Sequence, residues 1–348
     1  MYESFYGLSE LPFELTANPK YLFLTAGQRE ALSILQYGLI SAKSITVLIG
    51  EAGTGKTTLI RAALESERCR HVRCIYLNNP ALHTDDFIRL LALKFDLGSE
   101  SGGSKALLLE RLEALLRERR ACGETTALVI DEAQSLSVEL LEEIRLLANI
   151  ETPSAKLLPL VLAGQPELGA RLEDANLRQL KQRVTLRCHI EPFEVAETAD
   201  YIASRFSTAG GVASRVFSRE AVTLIHEYSG GIPRTISVIC DNALVSGMAL
   251  GRDHVDRAIV VEVCRDLRLK PGREHPSSTS SGMLPDESQD STPHIVENGR
   301  LPGSVDQRSA KASTERQRQT AVELDEKAAV RLGAPAFPLR ASGRIITE

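Results

Sequence analysis

The sequence predicts an α/β fold in three layers, a parallel sheet between helices, followed by an all-helical segment and a polar tail. Three observations predict it. Apolar, β-prone runs alternate with helix-forming runs through the first half of the chain. One of these runs feeds Gly50 to Thr58, read as GEAGTGKTT, with a helix-forming run behind it. From Phe193 onward no strand pattern appears, and helical runs follow one another across the glycine pairs Gly210-Gly211 and Gly230-Gly231.

The elements follow in order. Met1 to Thr25 carry aromatics and turn formers (Phe5, Tyr6, Pro12, Phe13, Tyr21, Phe23) without a clear period, and are expected as an arm against the sheet domain. Thr25 is placed to cap a helix over 26–41, whose apolar stripe includes Ala31, Leu32, Leu35 and Leu39. Ser44 to Ile49 reads as a buried strand, and Val72 to Leu77 as a second, closed by an Asn78-Asn79-Pro80 turn. Thr84 opens a helix with Asp85 and Asp86 in its first turn, where negative charge suits the helix dipole. Gly98 to Ser104 break it, and Lys105 to Arg120 form the next helix, with Leu108, Leu112, Leu115 and Leu116 at helical spacing.

Thr125 to Ile130 is a continuous β-prone run ending in Asp131 and Glu132, the pattern of a strand buried on both faces. Ser137 caps a helix over 138–148. Leu157 to Ala163 is expected as a strand, Pro166 to Lys181 as mostly helical, and Val184 to Ile190 as the last strand. Helices are expected at 197–209, 219–228, 233–249 and 253–269. Beyond Pro271 the Ser, Thr, Pro and charged composition predicts disorder, because too little apolar surface is present to offset ordering entropy. A short helix over 320–332 is conceivable there, with a solvated tail as the simpler reading.

Bulk properties set limits. With 348 residues and 43% hydrophobic content, the chain can bury one large core or two modest ones. A net charge of −5 makes no global cationic field, so DNA binding is possible but not indicated by net charge. The six cysteines are scattered without a C-x-x-C pair, which argues against zinc and favours thiols in a reducing compartment. MYESFYGLSELPF has no basic head before an apolar core, and no run approaches the ~18 apolar residues of a membrane span. A cytoplasmic location is expected, with inner-membrane contact only through a partner.

The chemistry rests on GEAGTGKTT. Wrapping backbone around a polyphosphate needs N–H groups to converge without side chains in the way, and Gly50, Gly53 and Gly55 allow this. Glu51, Ala52, Thr54 and Thr58 complete the expected nucleotide-binding stretch. Lys56 would set an ammonium against the β and γ phosphates, and the Thr57 hydroxyl would ligate Mg²⁺ at the helix N-terminus. Asp131 would hold Mg²⁺ and Glu132 would polarise the attacking water, which makes the expected reaction ATP hydrolysis. No N-K-x-D motif points to guanine. YSGGIPR at 228–234 superficially matches a transporter signature, but it follows the Asp-Glu strand where that signature should precede it.

The order of GEAGTGKTT, ALVIDEAQSL (127–136), VLAGQPEL (161–168), LRQLKQRV (177–184) and GGIPR (230–234) resembles AAA+ ATPases, a family of P-loop NTPases. With the opening MYESFYGLSELPF, it is more narrowly similar to the general secretion pathway ATPase modules, a resemblance covering roughly residues 1–269. Related groups accompany exosortase and exopolysaccharide systems, or serve transposons as DNA-binding helpers.

The resemblance implies a division into a nucleotide-binding αβα domain with its arm (1–192), a helical lid (193–269) and a tail (270–348). It implies that Gln165 senses the γ phosphate or its attacking water, and that Arg234 is a lid sensor reaching back to the phosphates. Arg183, or else Arg178, resembles an arginine finger acting on a neighbouring subunit, which implies a homo-oligomer. The implied role is to power or regulate assembly of a secretion or exopolysaccharide-export envelope system through a protein partner. The alternative is an ATP-gated DNA-binding adaptor. In the secretion group a transmembrane segment and a peptidoglycan-binding region follow the module. Here a polar run follows Leu269, so the resemblance does not carry direct cell-wall engagement over.

Overall fold

A computed structural model describes residues 1–15, 19–78, 82–153 and 155–271. The tail from residue 272, the helix considered over 320–332 and the Asn79-Pro80 turn lie outside the described residues.

The chain runs α1 (Tyr2–Tyr6), α2 (Ala26–Ile40), β1 (Ile45–Gly50), α3 (Lys56–Glu65), β2 (Val72–Asn78), α4 (Thr84–Lys94), α5 (Lys105–Ala121), β3 (Thr125–Asp131) and α6 (Val138–Leu147). It continues with β4 (Leu160–Gly164), α7 (Pro166–Leu172), α8 (Arg178–Lys181), β5 (Val184–Ile190), α9 (Val195–Thr208), α10 (Ala213–Val216), α11 (Arg219–Ser229), α12 (Pro233–Ala249) and α13 (Arg257–Asp266).

The five strands form one parallel sheet in the order β2-β3-β4-β1-β5. Every residue of β1, β3 and β4 is buried, as expected of strands covered on both faces. Alternation assigns their side chains. Ile45, Val47, Ile49, Leu128, Ile130, Leu160 and Leu162 enter a core that also contains apolar residues of α4, α5 and α6. Leu48, Ala127, Val129, Val161 and Ala163 enter the opposite core with residues of α2 and α3. Each large aliphatic side chain so buried contributes about 1.5–3 kcal/mol.

Helix starts follow local chemistry. Thr25 and Gln28 form a reciprocal capping box on α2, and the Ser137 hydroxyl accepts from the Leu140 N–H at the start of α6. Strand β4 starts at Leu160, three residues later than expected. Pro159 has no N–H for a ladder, although its carbonyl accepts from the Leu128 N–H, and Leu157 instead bonds Ile150. The stretch 166–181 is not one helix but α7, a 3₁₀ turn at Ala175–Leu177 and the four-residue α8. The last helix is shorter than expected, and α10 is an addition to the expected set.

Helices α9 to α13 enclose a separate core, and the N-terminal segment belongs to it. Tyr2, Leu8 and Phe13 are buried there with Phe206, Phe217, Ile236 and Leu244. The Tyr2 hydroxyl donates to Asp241, Ser9 N donates to Ala209 O at 2.9 Å, and Arg205 donates to Pro12 O at 2.7 Å. The expectation that residues 1–25 lie against the sheet domain is therefore corrected for their first thirteen residues, which complete the helical bundle. Their aromatics have no period because they fill gaps between helices rather than one face of an element. Gly231, at φ +74, lets the α11–α12 turn lie on the chain leaving β5. Its carbonyl accepts from Phe193 N at 2.8 Å, and a Cβ there would stand 2.1 Å from Phe193 O.

Candidate functional site

In an open parallel sheet, ligands meet the carboxyl ends of the strands where strand order reverses. Here β1 lies between β4 and β5, and its end leads through residues 51–55 into α3. Register brings the neighbouring strand ends level: Ile49 opposite Gly164, and Asn78 opposite Asp131.

The loop is built for close backbone approach. Gly53 and Gly55 have φ of +84° and +97°, which L side chains rarely adopt, and Gly55 caps α3. Lys56 is 5% exposed, and its ammonium donates to Gly50 O at 2.8 Å and Glu51 O at 2.9 Å, across the mouth of its own loop. Burial draws its pKa below the usual lysine range, and the carboxylates of Glu132, Asp131, Glu51 and Glu167 oppose that shift.

Asp131, at the end of β3, is 2% exposed, and both its oxygens are engaged. Oδ1 accepts from Glu132 N at 2.9 Å, while Oδ2 accepts from Thr57 Oγ1 at 2.6 Å and from the Tyr76 hydroxyl at 2.5 Å. Burial first, then the bond to Asp131, pushes the Tyr76 phenol well above its ordinary range, so it remains a neutral donor. Hydroxyl and carboxylate oxygens suit a hard divalent cation. No group of three or more His, Cys, Asp or Glu gathers among the described residues. The donor set therefore fits Mg²⁺ shared with phosphate oxygens and water, and does not fit an all-protein metal cage.

Glu132 takes a left-handed backbone, φ 55, uncommon for a side-chain-bearing residue and costing about 1–3 kcal/mol. Two amides hold its carboxylate: Gln134 Nε2 donates to Oε2 at 2.6 Å and Gln165 Nε2 donates to the same oxygen at 3.3 Å. Gln134 Oε1 in turn accepts from Gln165 N at 3.1 Å, and its backbone carbonyl accepts from Arg171 at 2.6 Å. Arg234, at the start of α12, donates its backbone N–H to Gly53 O at 3.2 Å, and its side chain runs over Gly53.

Lys56, Thr57, Asp131, Glu132, Gln165 and Arg234 thus meet at one edge of the sheet. Arg183 and Arg178 do not join them. Arg183 precedes Val184, which pairs with Ile45, whereas Gly50 pairs with Ile190 at the other end of β5, ~20 Å away at about 3.3 Å per residue.

Two recesses flank the loop. One of about 420 Å³ lies between the ends of β1 and β5 and the start of α7, with Glu51, Arg187 and His189 among its walls. The other, of about 80 Å³, is walled by Tyr21 to Leu24, Gln28, Thr54 and the bundle residues Phe193 and Tyr201. Arg205 stands over the Tyr21 and Tyr201 rings at 5.1 and 5.2 Å and ties this wall to α9. Sequence reasoning missed Gln28, Tyr76 and Gln134. Only Gln28 carried a readable signal, as the fourth residue of a T-x-x-Q capping box.

None of the six cysteines forms a disulfide. Cys69, Cys188, Cys240 and Cys264 are buried, and burial pushes the Cys74 thiol up to about 12, so it is a poor nucleophile. No described helix is long and apolar enough to cross a membrane.

Comparison with known proteins agrees with this geometry. Residues 39–172 match the family model described as an AAA domain. Over 251 residues the chain is 40% identical to general secretion pathway protein A of Aeromonas hydrophila, covering 72% of this chain but 46% of that relative. The fold is that of P-loop AAA+ proteins of known structure. Cdc6p from Pyrobaculum aerophilum superposes with a TM-score of 0.58 at 20% identity, over 73% of this chain and 70% of that one. The Drosophila ORC bound to DNA gives a TM-score of 0.55 at 19% identity, over 74% and 64%. At such identities the likeness concerns the fold alone.

Proposed function

We propose that this chain, an AAA+ module resembling general secretion pathway protein A, is a Mg²⁺-dependent ATPase that drives or regulates assembly of an envelope secretion or export system. The observation that carries the proposal is the convergence of Lys56, the Thr57–Asp131 pair and the amide-held Glu132 at the carboxyl edge of one sheet. In this reading residues 50–58 cradle the phosphates, and Lys56 exchanges its loop carbonyls for phosphate oxygens. The Tyr21–Leu24 wall, with Phe193 and Tyr201 beyond it, encloses the base.

Thr57 and Asp131 would hold the metal, which would supply charge neutralisation on the phosphates. Glu132 accepts a proton from the attacking water, and Gln165 orients that carboxylate. Arg234, lying over Gly53, links the angle of the helical lid to the occupancy of the loop. Arg183 stands at the end of β5 remote from its own loop, which suits a finger acting in trans within a homo-oligomer. A DNA-adaptor role draws less support, since two of the four basic residues between 178 and 187, Lys181 and Arg187, are paired with Glu173.

The decisive experiment pairs nucleotide binding with phosphate release for the wild type and Glu132→Gln. The variant should retain ATP affinity while turnover falls by about 10²–10⁴-fold. An unchanged kcat would mean that Glu132 is not the proton acceptor. Affinity for DNA that rises with ATP and falls steeply with salt would favour the adaptor instead.

A further inference from the structure

Tyr76 lies outside every motif that marks the phosphate site. It stands on β2 opposite Val129, two residues before Asn78, which pairs with Asp131. Tyr76 is half-buried and packs against the core shared with α3, which includes Leu59, Ala127 and Val129. Its hydroxyl leaves that apolar setting and ends 2.5 Å from Asp131 Oδ2, the oxygen that also accepts from Thr57. Donors from two separate elements, α3 and β2, therefore converge on one oxygen of a carboxylate carried by β3.

That convergence fixes an orientation. A carboxylate offers about four lone-pair positions. Tyr76, Thr57 and Glu132 N engage three of them from different directions, so Asp131 cannot turn about its side-chain bonds without breaking a bond inside a site that is 2% exposed. Thr57 and Glu132 N sit on the same loop and strand end as the site itself. Tyr76 braces the carboxylate through a side chain of the neighbouring strand β2, whose Asn78 is the register partner of Asp131. Packing would be served equally by phenylalanine, so the hydroxyl acts on the site and not on the core.

We infer that Tyr76 is a positioning residue for divalent-metal binding: its hydroxyl holds the Asp131 carboxylate in the orientation that a cation beside Thr57 requires. The inference rests on the proposed reading of Thr57 and Asp131 as the metal-holding pair. Outer partners of metal-holding groups act through such orientation, and their loss typically weakens metal affinity by about 10–100-fold.

The test uses the full chain saturated with ADP in metal-free buffer and titrated with Mn²⁺, bound metal being read by electron paramagnetic resonance. Wild type, Tyr76→Phe and Asp131→Asn are compared, with ADP affinity in EDTA measured in parallel. Tyr76→Phe should weaken Mn²⁺ binding about tenfold and leave metal-free ADP affinity within about twofold. Mn²⁺ affinity equal to or tighter than wild type in Tyr76→Phe, alongside a clear loss in Asp131→Asn, would overturn the role of Tyr76 and leave the Asp131 reading standing. Unchanged Mn²⁺ affinity in both variants would overturn that reading and the inference with it. An equal loss of ADP affinity in EDTA would show that the hydroxyl supports the loop and not the metal, and would overturn the inference as well.

Discussion

Truncating Phe13 to alanine should destabilise the helical bundle as severely as deleting one of its own core side chains. Phe13 is 1% exposed, although thirteen residues from the N-terminus and remote in sequence from the helices it touches. Its ring lies 6.2 Å from Phe217 at 88°, an edge-to-face contact that suits the aromatic quadrupoles, and 6.2 Å from Phe206 in a tilted pair at 44°. Arg205 closes the site by bonding Pro12 O, so the backbone cannot readily collapse into the space. A buried Phe→Ala change with limited relaxation costs about 3–5 kcal/mol.

Against a total stability of about 5–15 kcal/mol this is a large fraction, and it should lower the melting temperature by roughly 6–20 °C. Denaturant unfolding followed by circular dichroism measures it. Phe5→Ala supplies the internal reference. Phe5 is 43% exposed in the same segment and should cost no more than about 1 kcal/mol. Equal and small losses for the two variants would refute the assignment of the N-terminal segment to the bundle core.

Two further outcomes concern the site. Lys56→Ala should abolish ATP binding, read by a fluorescent nucleotide analogue, because the ammonium held against the Gly50 and Glu51 carbonyls of the loop is lost; affinity at the wild-type level would show that the loop does not bind the phosphates through Lys56. Arg183→Ala mixed with Lys56→Ala should recover part of the turnover that each lacks alone, since mixed oligomers pair an intact loop with an intact finger. No recovery at any mixing ratio would count against a finger in trans.

Much of the sheet was legible because its determinants are local. The runs at Ile45–Gly50 and Thr125–Asp131 are apolar and β-prone, as strands buried on both faces are, while Val184–Ile190 alternates between exposed and more buried positions at the sheet edge. The phosphate loop was legible for the same reason, since the glycines that permit its backbone are themselves the signal. Pro159 could have warned that the fourth strand starts at Leu160, but a β-prone run does not announce where its ladder begins. Tyr76 was beyond reach because its contact with Asp131 depends on the β2–β3 register; Gln134 lies two residues from Glu132, but its bond to Gln165 N depends on where β4 ends and on Gly164, beside which Gln134 packs.

By itself the sequence determined which backbone segments can be strands, which can be helices, and where a polyphosphate can be wrapped. These depend on propensity, periodicity and glycine content within a few neighbouring residues. Only the tertiary structure decided what the first thirteen residues complete, which strand braces Asp131, and at which end of β5 Arg183 stands. Those outcomes depend on strand order and on surfaces that different elements present to one another, and no window along the chain contains both partners of such a contact.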